Sequence, residues 1–257
     1  MRPDLHRSSE DAAAAQQPST RGRRASILLR GFLLFSVVVF SLLGIWQVQR
    51  LFWKLDLIAR VEARVTAAPV PPPPRSEWPM VDAERFEYQH VQVSGVFDHN
   101  REALVQAVTE RGPGFWVMTS LLLQDGSSIL INRGFVPSDS KDAEARNASE
   151  TAGTVAVTGL LRISEPGGGF LRSNDPRADR WYSRDVAAIA AAKGVADPAP
   201  FFIDADAKAN PGGLPVGGLT VVKFHNSHLV YAITWFSLAA MALGATVFVG
   251  RYRGELR

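Results

Sequence analysis

Cysteine is absent from all 257 residues. That excludes thiolate metal sites, a redox-active dithiol, covalent c-type haem attachment and any disulfide framework. Histidine is scarce as well, with five in the chain. Only His90 and His99 stand well away from both the N-terminal tail and the membrane runs described below, and nine residues apart they form no helical metal pair. They read as solvated surface histidines. Ser183 with Asp185, and Asp204 with Asp206, have no nearby base and read as caps or turns. Gly167-Gly168-Gly169 lacks the strand-to-helix frame of a phosphate cradle. No nucleophile–base pair emerges, so the chain is expected not to be an enzyme.

What the sequence does have is two long apolar runs. Gly31–Val48 is eighteen residues whose only polar side chains are Ser36, Ser41 and Gln47. Leu229–Gly250 is free of charge. As helices they would reach about 27 and 33 Å, enough for the hydrocarbon core of a bilayer. Both predict transmembrane helices, over residues 27–48 and 228–250. The first is too long for a signal peptide and has no small-x-small cleavage site.

Charge is distributed around these runs unevenly. The two tails with Arg30 hold nine basic and four acidic residues, a net of +5; Arg50–Ser227 holds nineteen basic and twenty-one acidic, a net of −2. The overall pI near 9.4 is therefore a topogenic signal and not a nucleic-acid footprint. The positive-inside rule places both termini in the cytoplasm and the intervening domain outside. The tail over residues 1–25, rich in Ala, Gln, Ser and Pro, is predicted to be disordered. Its Asp4, Glu10 and Asp11 oppose a mitochondrial transit peptide and favour a multi-pass protein of a bacterial inner membrane. A short cytoplasmic tail occupies 251–257.

Between the spans, Leu51, Leu55, Ile58 and Val65 recur at helical spacing, predicting a helical extension over 49–67. A proline-rich linker over 68–75 stops it and acts as a stiff spacer. From 76 to 227 the pattern is that of a strand-rich periplasmic domain. Val91, Val93 and Phe97 alternate with Gln92 and Ser94 within Tyr88–Phe97. Phe115–Leu123 and Ser128–Phe135 flank an Asp125-Gly126 hairpin turn. Thr154–Ile163, Phe201–Asp204 and Leu219–Phe224 are further strands. Arg184–Lys193 reads as one helix, capped by Ser183 or Asp185 and ended by Gly194. The expected fold is a membrane α+β chain: two transmembrane helices flanking a mostly antiparallel β domain.

Chemistry concentrates at the membrane boundary. His228 opens the second span, and Tyr231 and Trp235 follow within about 60° of it on a helix. Trp46, Gln47 and Arg50 share a face where the first span ends. Both clusters belong to the same membrane surface and could line a two-helix cleft. Imidazole is an axial ligand for haem iron, and an arginine can pair with a propionate. The competing reading is an aromatic belt with snorkelling Arg and His.

The motif Leu43-Gly44-x-Trp46-Gln47-x-x-Arg50-x-x-x-Lys54-x-x-Leu57-Ile58 resembles the first-span signature of the Surfeit-locus cytochrome oxidase assembly family. So do Val91-x-Val93-x-Gly95-x-Phe97, Asn132-Arg133-Gly134-Phe135-Val136-Pro137 and Pro200-x-x-Ile203-Asp204. Gly217-Gly218 and Asn226-x-His228-Leu229-x-Tyr231-Ala232-x-Thr234-Trp235-Phe236 complete the series in order, over roughly Leu42 to Phe236. The resemblance implies an assembly factor, a chaperone of respiratory-chain biogenesis that binds haem a transiently and delivers it to the catalytic subunit of a haem-copper oxidase. It implies His228 as iron ligand, Arg50 at a propionate, and Trp46, Gln47, Tyr231 and Trp235 lining the cleft. Haem a synthase is a further implied partner, beside the lipid bilayer. His225 stands where the family usually has Arg, which leaves open which of His225 and His228 takes the iron. The alternative is a membrane-anchored scaffold that stabilises an oxidase subunit without binding haem.

Overall fold

The structure, a computed structural model, describes residues 20–222 and 224–252. Most of the expected N-terminal tail and the end of the C-terminal tail lie outside the described residues. The chain divides into two compact units, one running to Asp56 and resuming at His225, the other spanning Leu57–Phe224.

The first unit is a pair of helices. Helix α1 (Thr20–Thr66) is continuous, so the apolar run and its amphipathic extension are one element of 47 residues. Its partner in this unit runs over His228–Tyr252. Both are long and apolar enough to cross a membrane.

The second unit is a closed five-stranded barrel. After α1, the proline segment lies along the domain. Val70 makes a bridge to Val91, and the Trp78 indole donates to the Pro73 carbonyl at 3.1 Å. Helix α2 (Ala83–Phe86) follows, its first turn capped by the Asp82 carboxylate accepting from Arg85 N. The barrel strands are β1 (His90–Thr109), β2 (Gly112–Leu122), β3 (Ser128–Pro137) and β4 (Thr154–Ile163). A small hairpin of β5 (Gly168–Gly169) and β6 (Arg172–Ser173) comes next, then helix α3 (Val186–Lys193) and β7 (Pro198–Ala205). The last helix of the chain, His228–Tyr252, is α4.

Around the barrel the order is β1-β2-β3-β7-β4. The sheet is mixed and not mostly antiparallel as expected, because β7 enters beside β3 in parallel, pairing Ile131 with Ile203 and Asn132 with Asp204. Hairpin turns announce only neighbours in sequence. A parallel pair needs a long crossover, here by way of β4 and α3, and leaves no local mark. The expected strand Leu219–Phe224 is also absent among its described residues; that stretch forms no ladder.

Two apolar layers explain the strand patterns. Val91, Val93, Leu121, Ile131, Leu161, Phe201 and Ile203 fill the interior. Ala103, Val105, Met118, Leu130 and Phe202 face outward and are covered by Val186, Ile189 and Ala190 of α3, with Trp181. β3 is buried on both faces, so its polar Asn132 and Arg133 are enclosed along with the apolar residues around them. β1 contributes to both layers through an irregularity. Asp98 pairs with Ser120 but Ala103 with Met118, so five steps along β1 answer two along β2. The surplus is odd, so odd-numbered residues that point inward before it point toward α3 after it. α3 itself is set by the Asp185 carboxylate accepting from Ala188 N and by Gly194 in the left-handed conformation at its end.

Candidate functional site

Within the helix-pair unit the seam is narrow and made of small residues. On α4 the inward stripe runs His228, Ala232, Trp235, Ala239, Ala242, a spacing of four and three. On α1 it includes Phe40, Gly44 and Gln47. A Cβ on Gly44 would fall 2.7 Å from the Phe236 ring, so glycine here is what lets the helices close. Phe40 and Trp235 stack with centroids 5.7 Å apart. Nearer the other end, the Arg30 guanidinium donates to the Val249 carbonyl at 3.0 Å.

The head of this seam holds a polar pair. His228 Nδ1 lies 2.7 Å from Gln47 Oε1. An amide oxygen only accepts, so Nδ1 carries the hydrogen and Nε2 carries the lone pair of the neutral ring. Among the described residues Nε2 has no hydrogen-bond partner. α4 starts at His228: the Asn226 side chain accepts from His228 N, and Tyr231 N donates to the Ser227 carbonyl. His225 thus precedes the helix and is not one turn below His228 on it; its Nε2 is engaged by the Ser227 hydroxyl.

The other residues singled out in sequence are distributed differently. Gln47 is buried and Trp235 packs in the seam. Trp46 and Tyr231 are each 54% exposed and turn away from it. Arg50 is exposed, its guanidinium 4.1 Å from the centroid of the Trp53 ring on its own helix. His228 and Gln47 are brought together, and Trp235 lies two turns away on the same seam against Phe40; Trp46, Tyr231 and Arg50 do not join them.

The barrel unit holds polar groups that sequence reading had taken as surface features. Asp204 is 2% exposed, not a turn residue. Its carboxylate accepts from Asn132 (2.7 Å), Arg162 (3.0 Å), Arg184 (3.0 Å) and Thr220 (2.9 Å). Glu165 and Glu87 extend the network on the arginines. Burial works to lower the Arg184 guanidinium, but Asp204 and Glu165 outweigh it and hold it above its ordinary value. The sequence signal was present: an acid ending the fully apolar run Phe201-Phe202-Ile203 must find partners in the interior.

His90 is likewise a clasp and not a solvated histidine. Its Nδ1 meets the Ala67 carbonyl at 2.8 Å and its Nε2 meets Asp206 at 3.0 Å. The backbone carbonyl of Ala67, and then Asp206, raise its pKa above the usual histidine value. His99 packs on Phe97 and accepts from the Arg133 guanidinium at 3.4 Å. No cluster of three or more metal-ligating side chains occurs among the described residues.

The SURF1 family profile matches residues 34–240, from α1 into α4. Surfeit locus protein 1 of Homo sapiens is 37% identical over 246 residues, covering 89% of this chain and 79% of the human one. The Rattus norvegicus protein of the same name is 39% identical, covering 82% of this chain and 72% of its own. A SURF1-like protein of Monosiga brevicollis is 35% identical, over 95% of both chains. With a matching profile over most of its length and relatives of this similarity, the chain belongs to the SURF1 family.

Proposed function

We propose that this protein is an assembly factor for haem-copper cytochrome oxidase, anchored by α1 and α4 in a bacterial inner membrane, that holds haem a and passes it to the oxidase catalytic subunit. Family membership supports the assembly role. The charge bias of the tails supports cytoplasmic termini and a periplasmic barrel. The haem reading is carried by one observation, the 2.7 Å contact between His228 Nδ1 and Gln47 Oε1. Metal-ligating histidines are commonly oriented this way, by a second-shell acceptor on the nitrogen that does not bind the metal.

Haem is cargo here, and the chain supplies binding and release with no bond chemistry. Gln47 fixes the His228 tautomer and ring plane, and Nε2 is the ligand atom. Arg50 offers a propionate the in-plane N–H groups of its guanidinium, because among the described residues Trp53 takes its face alone. Trp46 and Tyr231 present exposed aromatic surface for a macrocycle, while Trp235 braces the seam behind them. A single ligating histidine suits a carrier that must let go.

The test is purification from cells that make haem a, followed by pyridine haemochrome analysis of His228→Ala, His225→Ala and the double variant. His228→Ala and the double variant are expected to lose haem, and His225→Ala to keep it. Normal haem content in the double variant overturns the haem reading and leaves the membrane-anchored scaffold.

A further inference from the structure

Among the described residues, Arg133 is a buried cation without a counter-ion. It is 3% exposed, and no carboxylate among the described residues lies within ion-pair distance of it. Two acids act on it from beyond ion-pair distance, Glu102, which is committed to Arg146 at 2.7 Å, and Glu150. The partners of Arg133 are all neutral: the Ser149 carbonyl, His99 Nδ1 at 3.4 Å and the Asn210 side-chain oxygen at 3.5 Å. Its Nε–H is buried with no acceptor. Desolvation pulls the guanidinium down from its ordinary value, as expected for a charge taken from water without compensation. A charge left in that state at the end of a barrel needs an account.

The cavity beside it supplies one. About 250 Å³ of space opens at the barrel mouth, lined by Arg133 and by Phe97, Ile131, Val155 and Val157. Phe97 lies under the guanidinium, 5.1 Å from the ring centroid. Lys208 adds a second cation to the lining, and Asp206, which also borders the space, is held by His90. An apolar wall with a few convergent polar and charged groups is the usual composition of a small-molecule site, and barrel mouths are a usual place for one. The volume is at the low end for such sites, which limits the ligand to a short one.

We infer that the barrel mouth binds a small apolar monocarboxylate, its carboxylate at Arg133 and its body against Phe97, Ile131, Val155 and Val157. A carboxylate supplies the counter-charge that the neutral partners of Arg133 do not. That chemistry is shared by a short free acid and by the C-terminus of a polypeptide ending in an apolar residue. The site lies wholly in the barrel unit and is independent of the helix-pair haem site proposed above.

Titration calorimetry on the full chain in lipid nanodiscs separates these sources. The probes are hexanoate and N-acetylleucine, with 1-hexanol and N-acetylleucine methyl ester as neutral analogues. At least one acid is expected to bind at least tenfold more tightly than its neutral analogue. Tighter binding of N-acetylleucine than of hexanoate identifies a chain terminus as the source, and the reverse identifies a free acid. Arg133→Gln should weaken the acid at least tenfold, and Val155→Phe, which fills the cavity and leaves the guanidinium in place, should abolish binding. Folding of each variant is checked by circular dichroism; if either fails to fold, the comparison of acid with neutral analogue on the unaltered chain decides. Equal affinity for acid and analogue, no binding of either acid, or unchanged binding in a folded Val155→Phe overturns the proposal.

Discussion

The two units of this protein handle polar groups in opposite ways. The barrel surrounds its buried carboxylate with partners: Asp204 alone collects four donors from strands and loops across the domain. The helix pair makes one polar contact at its head, His228 to Gln47, and one near its other end, Arg30 to the Val249 carbonyl, on a seam closed between them by alanine, glycine and stacked rings. A saturated network holds one arrangement and resists change. A single contact leaves donors and acceptors over, which is what transient binding requires.

The largest effect expected from breaking this contrast is at Asp204. Asp204→Ala strips Arg162 and Arg184 of a shared acceptor in the interior, and loss of one partner from a buried pair costs about 3–5 kcal/mol. Chemical unfolding of the barrel should show it, with the helix pair still inserted in the membrane. Next is Gln47→Leu. It removes the group that orients His228 and should lower haem retention about 10–100-fold, with barrel unfolding unchanged. An equal loss at both units would erase the distinction between them.

Smaller is Gly126→Val in the β2–β3 turn. Gly126 has φ +83° and open space around it, so strain is the whole penalty, about 1–3 kcal/mol. Folded protein should fall while haem bound per folded molecule stays constant; the reverse result would place the turn at the ligand. The smallest effect concerns His90. Its folded pKa is raised, so the clasp contributes fully below the unfolded value near 6.5 and is lost as pH rises through the folded one. Barrel stability measured across that window should decline with pH, and His90→Gln should flatten the decline.

Which parts of this were legible in sequence follows from the range of each signal. Both long helices, the Asp125-Gly126 hairpin and α3 with its Asp185 cap and Gly194 stop are local patterns, and they are found in place. β1 was read only as far as Phe97, because Asp98-His99-Asn100-Arg101-Glu102 resembles a polar turn when nothing shows that the chain continues its ladder with Ala103. Barrel closure by β7 and the partners of Asp204 depend on residues 16 to 72 positions away and have no local trace. At the helix pair, periodicity put His228 and Trp235 on one face and the seam includes both, but it gave Tyr231 the same face. The small residues Ala232 and Ala239 occupy the contact instead, since closeness of the helices and not ring size decides what lies between them.

The odd surplus in β1 carries a consequence for insertions and deletions. With the surplus held at its present size, adding or removing one residue between Asp98 and Ala103 slips the later register by one, turning Ala103 and Val105 into the interior and Leu104 and Gln106 toward α3. A change of two residues leaves every later side chain on its present face. Length variation in this segment should therefore be tolerated in steps of two, and a single-residue indel there should cost the whole outer layer where a pair costs a loop.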